Sequence, residues 1–287
     1  MSPQTIVLQQ ITRVTPLGIK FWDDATASVI SDGLVVEVYP RGDPERRVAA
    51  RPNRIGIFVL PRLPGPRDPA FEFGAGDRAF WQRVQPRPHV IEVIDRNGFF
   101  QPFTVEQPLP VRGLAMPPCL PPASPPVDAV PLFSTSSRPV PTGMAVLRAD
   151  LMARVPGQTD PAPASWAVVE VHVAGQTPVR GLADREGRVA VIFPYPEPTP
   201  SPARPMSPPF PSGQSLWDQE WPVRIDVFYD PVVPAPLVPD LCRTLNQGPA
   251  MVWSDASAST PLPDQPLRYG QELIVRNPFV TTAGSPP

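Results

Sequence analysis

The sequence predicts an all-β protein: two tandem immunoglobulin-like or transthyretin-like β-sandwich domains joined by proline-rich extended segments. Three observations carry this expectation. Proline supplies 48 of the 287 residues, about 17% against a usual ~5%, and proline is excluded from helix interiors and central strands. Short β-branched runs bounded by turn residues recur along the chain, the signature of strands. Landmarks in the first half return in the second at a nearly constant spacing, as a duplicated module requires. The 13 Phe, 6 Trp and abundant Val separate the chain from proline-rich disorder, which is poor in aromatic and β-branched residues.

The elements follow in order. Residues 33–39, Gly-Leu-Val-Val-Glu-Val-Tyr, form a strand ending at Pro40, and residues 55–60 a second ending at Pro61. Residues 90–94 meet the turn Asp95-Arg96-Asn97-Gly98. Asn-Gly adopts φ > 0 cheaply, so residues 99–105 return as a hairpin partner. In the second half, residues 144–155, 166–173, 188–193 and 223–229 read as strands, and residues 270–276 as the last. Asp240 caps one helical turn over residues 241–247, with Gly248 after its end. A shorter helical turn begins at Asp77 and carries Phe80 and Trp81.

Domain boundaries follow the prolines. An N-terminal module spans 1–115 and a C-terminal module 143–287. Between them, residues 116–142 hold nine prolines in 27 positions, a linker or extended strap. Residues 194–211 hold nine in 18 positions and form a polyproline-like loop inside the second module. The halves align: Val35-Val36-Glu37-Val38 recurs as Val168-Val169-Glu170-Val171 at an offset of 133, and Glu92-Val93-Ile94 as Asp226-Val227-Phe228 at 134. The turn at Arg54-Ile55-Gly56 matches the one at Glu186-Gly187-Arg188. In the second copy, Asp184-Arg185-Glu186-Gly187 reads as a tight turn, with Asp bonding the backbone two residues on and Gly taking φ > 0.

Residues 165–193, with Leu182-Ala183-Asp184-Arg185-Glu186-Gly187-Arg188-Val189, resemble the carboxypeptidase regulatory-like family. Ala183 stands where Thr is common there. The resemblance implies a transthyretin-like sandwich acting as an accessory domain without catalytic residues. Residues 16–23, Pro-Leu-Gly-Ile-Lys-Phe-Trp-Asp, with Asp32-Gly33-Leu34 and Leu63-Pro64-Gly65, are similar to proteins encoded with phage-tail-like contractile injection systems. Asp240-Leu241-Cys242 and residues 267–273 resemble the same group. That resemblance implies a structural subunit of a particle, in baseplate, cap or fibre.

Composition narrows the function. A net charge of −2 without a basic stripe excludes a dedicated nucleic-acid binder. No run approaches 18 apolar residues, so no membrane span is expected. The first 14 residues lack a basic stretch followed by an apolar one, so a cytoplasmic location is expected, with release as part of a larger particle left open. Cys119 and Cys242 lie far apart in unlike contexts, and two buried thiols are expected over one disulfide.

Two histidines, His89 and His172, are too few for most catalytic or metal constellations, and both read as strand positions. Asp23-Asp24 lacks a third carboxylate at calcium spacing and reads as a turn. Asp218 and Glu220, beside Trp217 and Trp221, suggest a sugar site only superficially; aromatic residues leading a strand and packing on the sandwich are the more ordinary reading. No catalytic residue, metal ligand or cofactor is therefore expected. The function expected is a non-enzymatic assembly subunit that binds other structural subunits, or further copies of itself, through edge strands and proline-rich straps. Partner-binding candidates are Trp22, Phe80, Trp81, Trp217, Trp221 and Trp253. The alternative is a carbohydrate-binding or adhesive β-sandwich module, for which Trp217 and Trp221 give the best case.

Overall fold

The computed structural model describes residues 15–64, 81, 84–120, 128–154, 160–197, 216–257 and 260–282. The chain divides into two units. Unit 1 is Met1–Phe21, Ile30–Val93 and Thr104–Val130; unit 2 is Trp22–Val29, Ile94–Phe103 and Pro131–Pro287. The fold is all-β, as the proline content and strand runs predict. No helix among the described residues is long and apolar enough to cross a membrane.

In the first half the strands are β1 (Gly18–Ile19), β2 (Phe21–Asp23), β3 (Ser28–Ile30), β4 (Leu34–Pro40), β5 (Val48–Pro52), β6 (Phe58–Val59), β7 (Arg87–Asp95), β8 (Phe103–Leu109) and β9 (Val130–Leu132). They form a six-stranded sheet of order β1-β6-β5-β4-β7-β8 and a three-stranded sheet of order β3-β2-β9. Alternation drives the packing of unit 1. Leu17, Ile19 and Phe21 are buried in turn, as are Val36 and Val38, and Ile91 and Val93. Phe21 meets Phe58 edge-to-face at 5.4 Å.

The second half carries β10 (Met144–Asp150), β11 (Met152–Ala153), β12 (Ala162–Pro163), β13 (Val168–Val173), β14 (Val179–Leu182), β15 (Arg188–Pro194), β16 (Glu220–Phe228), β17 (Pro249–Trp253), β18 (Gln265–Arg268), β19 (Leu273–Val275) and β20 (Phe279–Thr282). One sheet runs β15-β10-β19; the other runs β12-β11-β20-β17-β16-β13-β14, with β18 also paired to β16. Leu147 and Ala149 of β10, with Val189, Val191 and Phe193 of β15, share one core with Val169, Val171 and Val173 of β13 and Trp221, Val223 and Val227 of β16. Two sheets closing on one apolar layer make unit 2 a sandwich. The helix Leu241–Leu245 forms where Asp240 caps it, its carboxylate accepting the Arg243 N–H at 2.7 Å.

The same turn recurs in the two halves. Asn53 Oδ1 accepts the N–H of Ile55 and of Ile57, both at 3.0 Å, and Gly56 takes φ 78°. At an offset of 131, Asp184 Oδ1 accepts the N–H of Glu186 at 3.0 Å and of Arg188 at 2.8 Å, and Gly187 takes φ 79°. Each turn follows the strand paired to the Val-Val-Glu-Val strand, β5 on β4 and β14 on β13. The other neighbour of that central strand is β7 in one copy and β16 in the other. Asp95 builds a third such turn, accepting the N–H of Asn97 and Phe99, so the turn alone is generic. What the two halves share is its place in the strand order.

Two sequence expectations meet a different structure. Both Cys119 and Cys242 are disulfide-bonded, not thiols. In the segment read as a linker, Val130–Leu132 form β9, and Val130, Leu132, Phe133, Ser134 and Arg138 are buried. Residues 131–142 pack within unit 2. Gln101 N–H donates to the Phe133 carbonyl at 2.8 Å and Thr135 N–H to that of Phe99 at 2.9 Å. Val140, with Ala25 and Met144, covers Val146, Ala190 and Ile192 on the outer face of β10 and β15.

The fastening is ionic. Arg138 grips Asp23 with both terminal nitrogens, at 2.6 and 2.9 Å, and both side chains are nearly fully buried, 8% and 2% exposed. Asp23 also accepts from Ala25 N–H and the Thr26 hydroxyl, while Arg138 reaches Ser134 Oγ and stacks 4.7 Å over the Phe100 ring. Burial by itself would raise the Asp23 pKa. The Arg138 and Thr26 hydrogen bonds, the charge of Arg138 and the Ala25 N–H outweigh burial and hold it below its ordinary value of 3.8.

A depressed folded-state pKa contributes stability above the ordinary value and loses it as pH falls through the lowered one. Asp23→Asn is therefore expected to cost about 3–5 kcal/mol near neutral pH, because Arg138 is left buried without its counter-charge. Urea melts across the acid range check it: the variant should lose less stability than wild type as pH drops from 5 toward 2, and parallel acid limbs would refute the role of the pair. A second expectation separates backbone strain from collision. A Cβ at Gly187 would run into the Leu151 carbonyl oxygen, whereas at Gly98, also at positive φ, it meets nothing within 4 Å. Gly98→Ala should cost about 1–2 kcal/mol for the left-handed backbone, and Gly187→Ala about 1–3 kcal/mol more for the overlap, read as the difference in thermal unfolding.

Candidate functional site

One strand end in unit 2 turns a core aromatic residue into a surface one. A 3-10 turn, Leu216–Asp218, leads into β16. In β16, Trp221 faces the core opposite Leu267 of β18, while Glu220 faces out and pairs with Arg268 at 3.1 Å. The strand alternation places them so, because successive side chains point to opposite faces. Trp221 is 5% exposed and its indole N–H donates to the Glu197 carbonyl at 3.3 Å. Trp217, one turn earlier, is 73% exposed.

Two tyrosines join them. Trp221 lies 5.9 Å from Tyr195, Tyr195 4.7 Å from Tyr269, and Tyr269 meets Trp217 edge-on at 5.6 Å and 78°. Tyr195 hydroxyl accepts the Gly270 N–H at 2.9 Å, and Tyr269 N–H bonds the Gln219 carbonyl. Gly270 is required here. Its φ is 72°, and a Cβ would stand 2.8 Å from the Trp217 ring. The indole thus rests on backbone with a tyrosine against it, which holds an exposed ring in one orientation. The exposed Glu220–Arg268 pair lies on the outward face of the same β16–β18 ladder.

The other candidates separate. Trp22 is half-buried in β2; Trp81 is half-buried; Phe80 lies outside the described residues. Trp253 is half-buried in β17, its indole N–H donating to Thr281 Oγ1 at 3.0 Å. The structure gathers Trp217 and Trp221 into one site. Tyr195, Tyr269 and Gly270 were missed. They sit 26 residues before and 48 and 49 residues after Trp221, and only the β16–β18 pairing brings the later ones to it.

Both histidines lie on strands. His89 is buried in β7, its Nδ1 2.8 Å from the Arg87 carbonyl oxygen, and burial pushes its pKa below the usual range. His172 Nε2 on β13 lies 2.9 Å from Asp226 and 3.1 Å from Glu170, whose carboxylates also meet Arg224 and Arg180. Asp23 is committed to Arg138. Among the described residues no group of three His, Cys, Asp or Glu side chains has metal-binding geometry.

No family model matches the chain, and no curated protein matches it closely in sequence. Among solved structures it is similar to the Bacillus anthracis TIE protein, with 9% identity over 92% of this chain and 34% of that one, TM-score 0.25. The chain thus spans about a third of that protein. It is also similar to a candidate adhesin from Bacteroides ovatus (9% identity, 80% of this chain and 85% of that one, TM-score 0.19) and to the minor pilin GBS52 of Streptococcus agalactiae (8%, 94% and 99%, TM-score 0.22). TM-scores this low carry no argument about function.

The two tryptophans should part company on substitution. Trp221→Ala empties a core position and is expected to cost about 3–5 kcal/mol. Trp217→Ala should change stability by less than about 1 kcal/mol, because its ring is mostly solvated. Chemical denaturation of both variants checks this, and equal losses would mean that Trp217 is a structural residue.

Proposed function

We propose that this chain is a non-enzymatic adhesive module whose C-terminal sandwich binds carbohydrate on the Trp217 end of the aromatic ladder. The observation that carries the reading is an indole 73% exposed and yet held by Gly270 and Tyr269. Exposing a large apolar ring to water is unfavourable, and fixing it forgoes the entropy that a mobile side chain would keep. A rigid aromatic face returns that cost on binding, since little freedom is left to lose. The axial C–H bonds of a pyranose present a positively polarised apolar face to the ring, and the exposed Glu220–Arg268 pair offers partners to its hydroxyls. The disulfide-bonded cysteines support a place in an oxidising compartment, where such bonds persist, in preference to the cytoplasm expected from the N-terminal residues.

The resemblance of residues 16–23 to proteins of contractile injection systems supports a second reading, a structural subunit of such a particle. Packing of residues 131–142 on their own unit removes one reason to expect them to lie on a neighbour. This reading predicts that the chain sediments from native extract with a multi-protein particle; recovery only as a free chain would count against it.

The first reading is tested by titrating neutral oligosaccharides into the full chain and following tryptophan fluorescence. A hit should quench or shift the emission, and Trp217→Ala should weaken binding by at least about tenfold, the scale of a ~1.4 kcal/mol contact. Retained affinity in that variant, or no binder in a broad glycan screen, would sink it.

A further inference from the structure

Among the described residues, the outer face of the sheet β15-β10-β19 is covered at one end only. Val146, Ala190 and Ile192 lie under Ala25 and Val140. Toward the other end the same strands present Arg148, Asp150, Arg188 and Ile274, and a cleft of about 590 Å³ opens between them and residues 136–137. That volume lies within the ~300–1,000 Å³ of small-molecule sites. Its charged lining is three guanidiniums, of Arg148, Arg188 and Arg276, against one carboxylate, Asp150.

The three arginines differ. Arg148 is fixed: it donates to the Ser136 and Arg138 carbonyls and lies 3.3 Å from Glu272. It holds the wall of the cleft in place. Arg188 is held by Asp184, whose carboxylate is largely buried, and by the more exposed Glu186, both outside the lining. Arg276 is exposed and makes no ion pair among the described residues. It follows β19 directly and precedes Asn277, which takes φ 44°, a left-handed conformation that Asn tolerates at low cost. Ile274, 59% exposed, adds an apolar surface beside these groups.

We propose that this cleft binds an acidic saccharide, with Arg276 taking the carboxylate. A guanidinium meets a carboxylate through two parallel N–H bonds. Asp150, Ser136, Ser137 and Asn277 suit the hydroxyls around it, and Ile274 the C–H face of the ring. The mixture decides the class. An acidic peptide brings several carboxylates and meets Asp150 as a repulsion, whereas a sugar acid brings one carboxylate among hydroxyls. The site shares the saccharide chemistry of the proposed function but rests on different residues, so the two fail separately.

The test is calorimetry and saturation-transfer NMR on the full chain with three probes: a glucuronic-acid-containing disaccharide, its neutral counterpart and a glutamate-rich hexapeptide. The acidic disaccharide should bind at least about tenfold more tightly than the other two, Arg276→Gln should remove about tenfold of that affinity, and Trp217→Ala should leave it unchanged. Absence of binding, equal affinity for the neutral sugar, preference for the peptide or indifference to Arg276→Gln overturns the proposal. Binding that is lost in Trp217→Ala and kept in Arg276→Gln overturns it as well and returns the ligand to the aromatic ladder.

Discussion

A buried carboxylate must be neutralised, and in unit 2 a single arginine does this for Asp23. The pair brings together chain from residue 23 and residue 138 and cannot form unless both segments are in place. Once formed, it orders what lies beside it. Phe100 packs under the guanidinium, Ser134 completes its hydrogen bonds, and the Arg138 carbonyl accepts from Arg148 on β10. Proline lowers the entropy that such a strap loses on ordering, so a few fixed points suffice to hold residues 131–142 against the sandwich. The same strap covers Ile192 and Ala190, which turns the outer face of β15 from solvent-facing to buried and explains why five consecutive residues of that strand are buried.

Local chemistry does the rest of the folding logic. An Asn or Asp three residues before a glycine caps its own turn and reverses the chain, and this device appears at Asn53, Asp95 and Asp184. At Gly187 the turn is also pressed against the Leu151 carbonyl, so glycine is needed twice over, for its dihedral and for its missing side chain. Gly181 serves packing only: a Cβ there would stand 2.6 Å from Val191, and its absence lets β14 lie close to β15, whose sheet is the other one.

The proposed carbohydrate surface arises from the same alternation that builds the core. Trp221 faces inward because its strand register places it opposite Leu267, and Glu220 faces outward for the same reason. The aromatic ladder then carries rigidity from the core to Trp217, in steps of about one ring each. Rigid, large and partly solvated aromatic residues are the side chains that make binding hot spots. The arginine-lined cleft is a second consequence of incomplete coverage: where the strap ends, no described residue covers the outer face of β10, β15 and β19.

Composition and pattern by themselves determined the fold class, the Asn- and Asp-capped turns at Asn53, Asp95 and Asp184, and the capped helix at Asp240, because each depends on residues close together in sequence. The aromatic pair was legible in part: Trp217 and Trp221 stand four apart, but nothing in that spacing says which is buried, since the answer depends on the register of β16 against β18. Tyr195, Tyr269 and Gly270 were not legible, nor was the partner of Asp23. Each of these is a meeting of residues far apart in the chain. Such meetings are fixed by strand pairing and by the rule that a buried charge must find its opposite, and only the tertiary structure decides which opposite it finds.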